Sequence, residues 1–76
     1  MFSYNIAKEA DNKAFQSACV AIEANIKDLE KEKLLIDADG TLVQIYHVQG
    51  RKIKVVNDYE VDAVYADSDV NLSNIL

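Results

Sequence analysis

The chain contains no proline and no tryptophan, and only two glycines, one cysteine, one histidine and one methionine in 76 residues. With no proline, no repeat and no Gly- or Ser-rich tract, nothing marks an internal linker or a domain boundary. The single cysteine, Cys19, excludes an intrachain disulfide and a cysteine-based zinc site. No apolar run approaches the roughly 18 residues that a membrane-spanning helix requires, so no membrane partner is expected. Positive charge is also scarce: 8 Lys and Arg stand against 13 Asp and Glu, a formal net charge of −5. That balance repels nucleic-acid phosphates, whose binding draws on Lys and Arg, and direct nucleic-acid binding is not expected.

What is present is 50% hydrophobic and 28% charged, a composition that folds rather than stays disordered. A domain of this length buries only about 60% of its unfolded surface. An enclosed pocket would remove core that the chain can hardly spare, which argues against an autonomous enzyme. Residues 1–7 are uncharged and soon followed by Lys8 and Glu9, unlike the basic and then long apolar order of a secretory signal. A cytoplasmic protein is expected.

Phe2, Tyr4 and Ile6 alternate with Ser3 and Asn5, the pattern of a short strand. From residue 10 to residue 32 the period becomes helical: Phe15, Cys19, Ile22, Ile26 and Leu29 recur at alternating spacings of four and three. Glu9 with Lys13 and Glu23 with Lys27 set an acid four residues before a base on the solvated face. After Lys33 the period falls to two. Turn signals at Asp39-Gly40, Gln49-Gly50-Arg51 and Asn57-Asp58-Tyr59 then separate four strands near 33–38, 41–48, 52–56 and 60–66.

A two-residue turn at Asp39-Gly40 sets Ile36 opposite Val43 and Leu34 opposite Ile45. Three-residue loops at the next two turns set Ile45 opposite Val55, Val55 opposite Val61 and Ile53 opposite Ala63. The inward set is then Leu34, Ile36, Val43, Ile45, Ile53, Val55, Val61 and Ala63, with His47 at its end, and it receives the helical stripe as a two-layer core. The prediction is an α+β fold in the order β-α-β-β-β-β, one long amphipathic helix on one face of a four- to five-stranded, mainly antiparallel sheet. Residues 1–66 form the domain and 67–76 a C-terminal tail.

The string Leu34-Leu35-Ile36-Asp37-Ala38-Asp39-Gly40-Thr41-Leu42 resembles the first motif of the haloacid dehalogenase-like phosphatases, a hydrophobic strand followed by Asp-x-Asp-Gly-Thr. The resemblance implies Asp37 as nucleophile, Asp39 as general acid/base and a Mg²⁺ that neutralises the phosphoryl charge. In that family the motif ends a parallel strand of a much larger doubly wound domain, whereas here another strand follows at once. The same residues read as turn chemistry give a hairpin, because Asp-Gly adopts positive φ cheaply. Cys19 lies on the apolar stripe as a buried thiol, and Asp67-Ser68-Asp69 reads as a cap or solvated tail. No metal and no cofactor are expected.

The predicted register leaves Leu35, Leu42, Tyr46, Val56 and Val64 on the face away from the helix, among Gln44, Lys52, Lys54, Glu60 and Asp62. A free sheet face in a two-layer monomer is ordinarily polar, so this aliphatic cluster marks a binding or oligomer surface. Leu72, Ile75 and Leu76 of the tail, with Val70, either cover that face or extend it. The expected function is a small acidic, non-catalytic protein-interaction module, a homodimer or a subunit or inhibitor of another protein. Its candidate contact residues are Leu35, Leu42, Tyr46, Val56, Val64, Leu72, Ile75 and Leu76. Two alternatives come from other classes. One is an acidic decoy presenting Asp58, Glu60 and Asp62 to a basic nucleic-acid-binding protein, although Lys27, Lys31, Lys33, Lys52 and Lys54 interrupt any single-sign surface. The other is a small hydrolase using Asp37 and Asp39.

Overall fold

A computed structural model describes residues 1–76. In chain order the elements are β1 (Phe2–Ala7), α1 (Asn12–Asn25), β2 (Glu30–Lys31), β3 (Leu35–Ile36), β4 (Leu42–Val48), β5 (Arg51–Asp58) and β6 (Ala63–Ser68). The α+β class is the one expected. One six-stranded sheet runs in the order β1-β6-β5-β4-β2, with β3 also on β4, and every pairing is antiparallel. The strand count exceeds the expected four to five because residues 30–31, read as the end of the helix, form a further short strand β2, while the strand placed near 33–38 shrinks to the two residues of β3; both sit on the same edge of β4.

The helix is shorter than its sequence period suggests. It begins where Asp11, in extended conformation, accepts hydrogen bonds from Lys13 N (2.8 Å) and Ala14 N (3.2 Å), an ordinary N-cap. It ends at Asn25 rather than near residue 32, with Ile26 extended and Asp28 left-handed at φ 59°. Fourteen helical residues span about 21 Å, close to the ~23 Å of a seven-residue strand. A continuing helix would overhang the sheet; by reversing at Asp28 the chain instead sets β2 against β4. Ile26 and Leu29 still pack on the core from this loop, so their periodic spacing reports burial and not helix.

The two hairpin turns exchange the geometries that their sequences suggested. Asp37 O accepts from Gly40 N (3.0 Å), Asp37 N donates to Thr41 O (2.9 Å), and Gly40 is left-handed at φ 90°. This is a three-residue loop, not a two-residue one, and it pairs Leu35 with Val43 and Ile36 with Leu42. At the next hairpin Gln49 (φ 50°) and Gly50 (φ 77°) are both left-handed and form a two-residue turn that pairs Val48 with Arg51. Ile45 therefore faces Lys54, not Val55. At the third hairpin residues 59–62 form the loop and Asp58 pairs with Ala63, moving Val55 from Val61 to Ala66.

Since side-chain direction alternates along a strand, each odd displacement exchanges the faces. Tyr46 of β4 and Val64 and Ala66 of β6 turn inward to join Ile53 and Val55. Together with Phe15, Ala18, Cys19 and Ile22 of α1 and with Leu72 they form the buried core. Val61, expected inside, stands in the third turn and is 65% exposed. Leu34 and Ile36 are exposed as well.

The C-terminal segment belongs to the helix side. Leu72 is fully buried in the core, and Val70 and Ile75 pack against it. Tyr4 ties the segment to β1: its hydroxyl accepts from Leu72 N (2.7 Å) and lies 3.2 Å from Asn71 Oδ1, to which it donates. The tail therefore does not cover the opposite face. No helix is long and apolar enough to cross a membrane.

Candidate protein-interaction surface

The face of the sheet away from α1 is built from the residues that the inward set leaves behind. Leu35 of β3 stands opposite Val43 of β4, Val43 opposite Val56 of β5, and Val56 opposite Tyr65 of β6. These four side chains make one apolar row across four strands. Val56 at its centre is buried, Val43 and Tyr65 are half-buried, and Leu35 at its end is 54% exposed. Leu35, Ile36, Asp37, Thr41 and Val43 surround a shallow depression of about 270 Å³ at that end.

The adjacent row is charged. Ile45 stands opposite Lys54, and Lys54 opposite Asp67, whose Oδ1 accepts from Ser3 Oγ (3.0 Å). Burial and the neighbouring carboxylates of Asp58 and Asp67 push the Tyr65 hydroxyl above its ordinary value. The ring thus presents a neutral, amphipathic surface with a polar tip, a residue type enriched at protein contacts.

Of the residues expected on this face, Leu35 and Val56 lie there. Leu42, Tyr46 and Val64 do not, because the two-residue turn at Gln49-Gly50 sends Leu42 and Tyr46, and the loop at 59–62 sends Val64, to the helix side. Leu72 is in the core, Ile75 packs against it, and Leu76 lies beside Ile6 and Ala18 on the helix side, 39% exposed. Val43 and Ile45, expected inside, are on the free face with Tyr65. His47 is there too, beside the sheet edge, where its ring pairs with the Glu32 carboxylate.

The inward turn of Tyr46 has a polar consequence. Its ring is fully buried, and its hydroxyl donates to Glu23 Oε2 at 2.6 Å, while Lys31 Nζ lies 3.2 Å from the same oxygen. The Tyr46 hydrogen bond, with Lys31, holds the Glu23 carboxyl below its ordinary value, and burial first and then Glu23 push the Tyr46 hydroxyl far up. Burial also pushes the Cys19 thiol up, which suits a packing residue and not a nucleophile.

Asn57 was legible only as a turn residue, yet it is fully buried and clamps the start of α1 to β5. Its Oδ1 accepts from Asp11 N (3.0 Å), and its Nδ2 donates to Asn12 Oδ1 (2.8 Å). The signal available was its phase: Asn57 continues the inward alternation of Ile53 and Val55.

The acids singled out for other chemistries are engaged in local backbone bonds. Asp37 Oδ1 accepts from Ala38 N (2.8 Å) and Asp39 Oδ1 from Thr41 N (2.9 Å), so both brace the first hairpin. The Thr41 backbone bond holds the Asp39 carboxyl below its ordinary value. Asp58 Oδ1 accepts from Glu60 N and Val61 N, and Asp62 Oδ1 from Ala10 N. No group of three or more His, Cys, Asp or Glu side chains is gathered in a metal-binding arrangement. The chain matches no protein-family model, and no curated protein or solved structure is significantly similar to it.

Proposed function

We propose that the chain is a non-catalytic protein-interaction module that binds a protein partner through the free face of its sheet. The observation that carries this reading is the row Leu35–Val43–Val56–Tyr65 on a face that neither α1 nor the C-terminal segment covers. Apolar side chains aligned across four strands gain nothing from water, and a partner that excluded it would gain about 25 cal/mol for each Å² of apolar surface buried. Lys54, Asp58 and Asp67 beside the row supply a polar border that fixes the orientation of the partner. Asp37 and Asp39 serve this role as turn residues, shaping the end of the row where Leu35 and Ile36 stand exposed.

A photoreactive benzoylphenylalanine at position 43 or 65, introduced in cells that naturally carry the chain, tests the reading. The expected result is a discrete covalent adduct with a protein at both positions and none from position 13, on the solvent side of α1. Equal labelling at all three positions, or none at 43 and 65, would overturn it.

A further inference from the structure

The two edges of the sheet are constructed differently. On the outer side of β4 the strands are two residues long, interrupted at residues 32–34, and β2 carries Glu30 and Lys31. Short strands, irregular backbone and charge are the devices that stop an edge from pairing. The other edge has neither the short strands nor the charge. β1 runs for six residues, Phe2-Ser3-Tyr4-Asn5-Ile6-Ala7, without a charge or a proline, and its only irregularity lies between Asn5 and Ala7. It is hydrogen-bonded along one side, to β6, and no backbone group of residues 2–7 bonds to any other part of the chain.

We propose that β1 pairs antiparallel with β1 of a second copy of this chain, joining two sheets edge to edge. The strand is complementary to itself. A two-fold axis at Tyr4 sets Phe2 opposite the second copy's Ile6 and Ser3 opposite the second copy's Asn5. Phe2, Tyr4 and Ile6 then form one apolar ladder on the helix side, and Ser3 and Asn5 one polar ladder on the free face. No like charges meet, and the second copy's Ile6 covers Phe2, which is 42% exposed. The axis is perpendicular to the sheet, so both helices lie on one side and both Leu35–Val43–Val56–Tyr65 rows on the other. A six-residue edge buries less than the ~1,200 Å² of a standard interface, which places the dimer in the weak, concentration-dependent class. The inference stands on β1 alone and is independent of what binds the free face.

Light scattering on the full chain between about 10 μM and 1 mM, a range suited to weak association, reads the pairing. The expected mass rises from 8.5 kDa toward twice that value. Ser3→Lys with Asn5→Lys places lysines opposite one another across the axis and raises the dissociation constant about tenfold. Ser3→Lys with Asn5→Glu restores association, and Val43→Lys on the free face leaves it unchanged. Ser3 and Asn5 are exposed, and circular dichroism confirms that each variant is folded. A chain that stays monomeric throughout, a dimer broken by Val43→Lys but not by the paired lysines, or no restoration by the Lys/Glu pair would each overturn the proposal.

Discussion

Both faces of the sheet carry aliphatic side chains, and α1 and Leu72 cover only one of them. The helix side holds Tyr46, Ile53, Val55, Val64 and Ala66 under α1 and Leu72. The free side holds Leu35, Val43, Val56 and Tyr65, which neither α1 nor the C-terminal segment covers. What separates the faces is the treatment of polar atoms. On the helix side Asn57, Gln44, Ser68 and Tyr46 are buried, and each reaches a partner: Asn57 at Asp11 and Asn12, Gln44 at Glu32 O (2.6 Å), Ser68 at Val70 and Tyr46 at Glu23. No buried side-chain nitrogen or oxygen lacks one. On the free side Lys54 and Asp67 are only half-buried. A face can thus be assigned to the interior by whether its polar groups are satisfied, even when its aliphatic content is ambiguous.

The strongest way to break the comparison is to truncate equivalent aliphatics on the two sides. Ile53→Ala, at a fully buried core position, is expected to cost about 2–5 kcal/mol. Val43→Ala, half-buried on the free face, should cost less than about 1 kcal/mol, since little cavity is left behind. Urea denaturation of both variants checks the ratio; equal losses would mean that the free face is covered in solution.

Next in size is Asn57→Ala, which leaves Asp11 N without its partner and Asn12 Oδ1 with only the Tyr59 hydroxyl (3.1 Å), and should cost about 1–3 kcal/mol. Asp11 caps α1 through its side chain, so the loss should appear as lower hydrogen-exchange protection in the first turn of the helix. Unchanged protection there would contradict the clamp.

Tyr46→Phe is expected to cost about 1.5 kcal/mol, the low end for a hydrogen bond to a charged group, because Glu23 is partly exposed. Its pH dependence is more informative. The Glu23 carboxyl is held below its ordinary value in the folded chain, so its contribution is present above that value and is lost as pH falls through the folded pKa. The Tyr46 hydroxyl is pushed up, so its contribution is complete below the ordinary tyrosine value of 10.0 and is lost as pH rises above it. The phenylalanine variant should flatten both limbs of the stability profile; an unchanged profile would separate Tyr46 from Glu23.

Much of this organisation was legible in the sequence and some was not, for identifiable reasons. The alternation in β1, the N-terminal two thirds of the helical stripe and the three turn positions were readable because each rests on local periodicity or backbone preference. Loop length was not. Asp39-Gly40 and Gln49-Gly50 each accept a two- or a three-residue connection, and the choice was made by burying Tyr46 against Glu23 and Asn57 against Asp11, contacts 23 and 46 residues apart in sequence. Choosing the other option at both turns reversed β4, and a further displacement at residues 59–62 reversed β6. The candidate site shared that error: Leu35 and Val56 were found, whereas Val43 and Tyr65 were exchanged for Tyr46 and Val64. The helix end was misread for a related reason, since Ile26 and Leu29 are buried from a loop.

The assignment of faces, on which the proposed binding surface rests, is tested most directly by nuclear Overhauser contacts from the Tyr46 ring. The fold described here predicts contacts from that ring to α1, at Cys19 and Glu23, with Val56 instead seen by the Tyr65 ring. Contacts between the Tyr46 ring and the Val56 methyl groups would place Tyr46 on the free face and contradict the account.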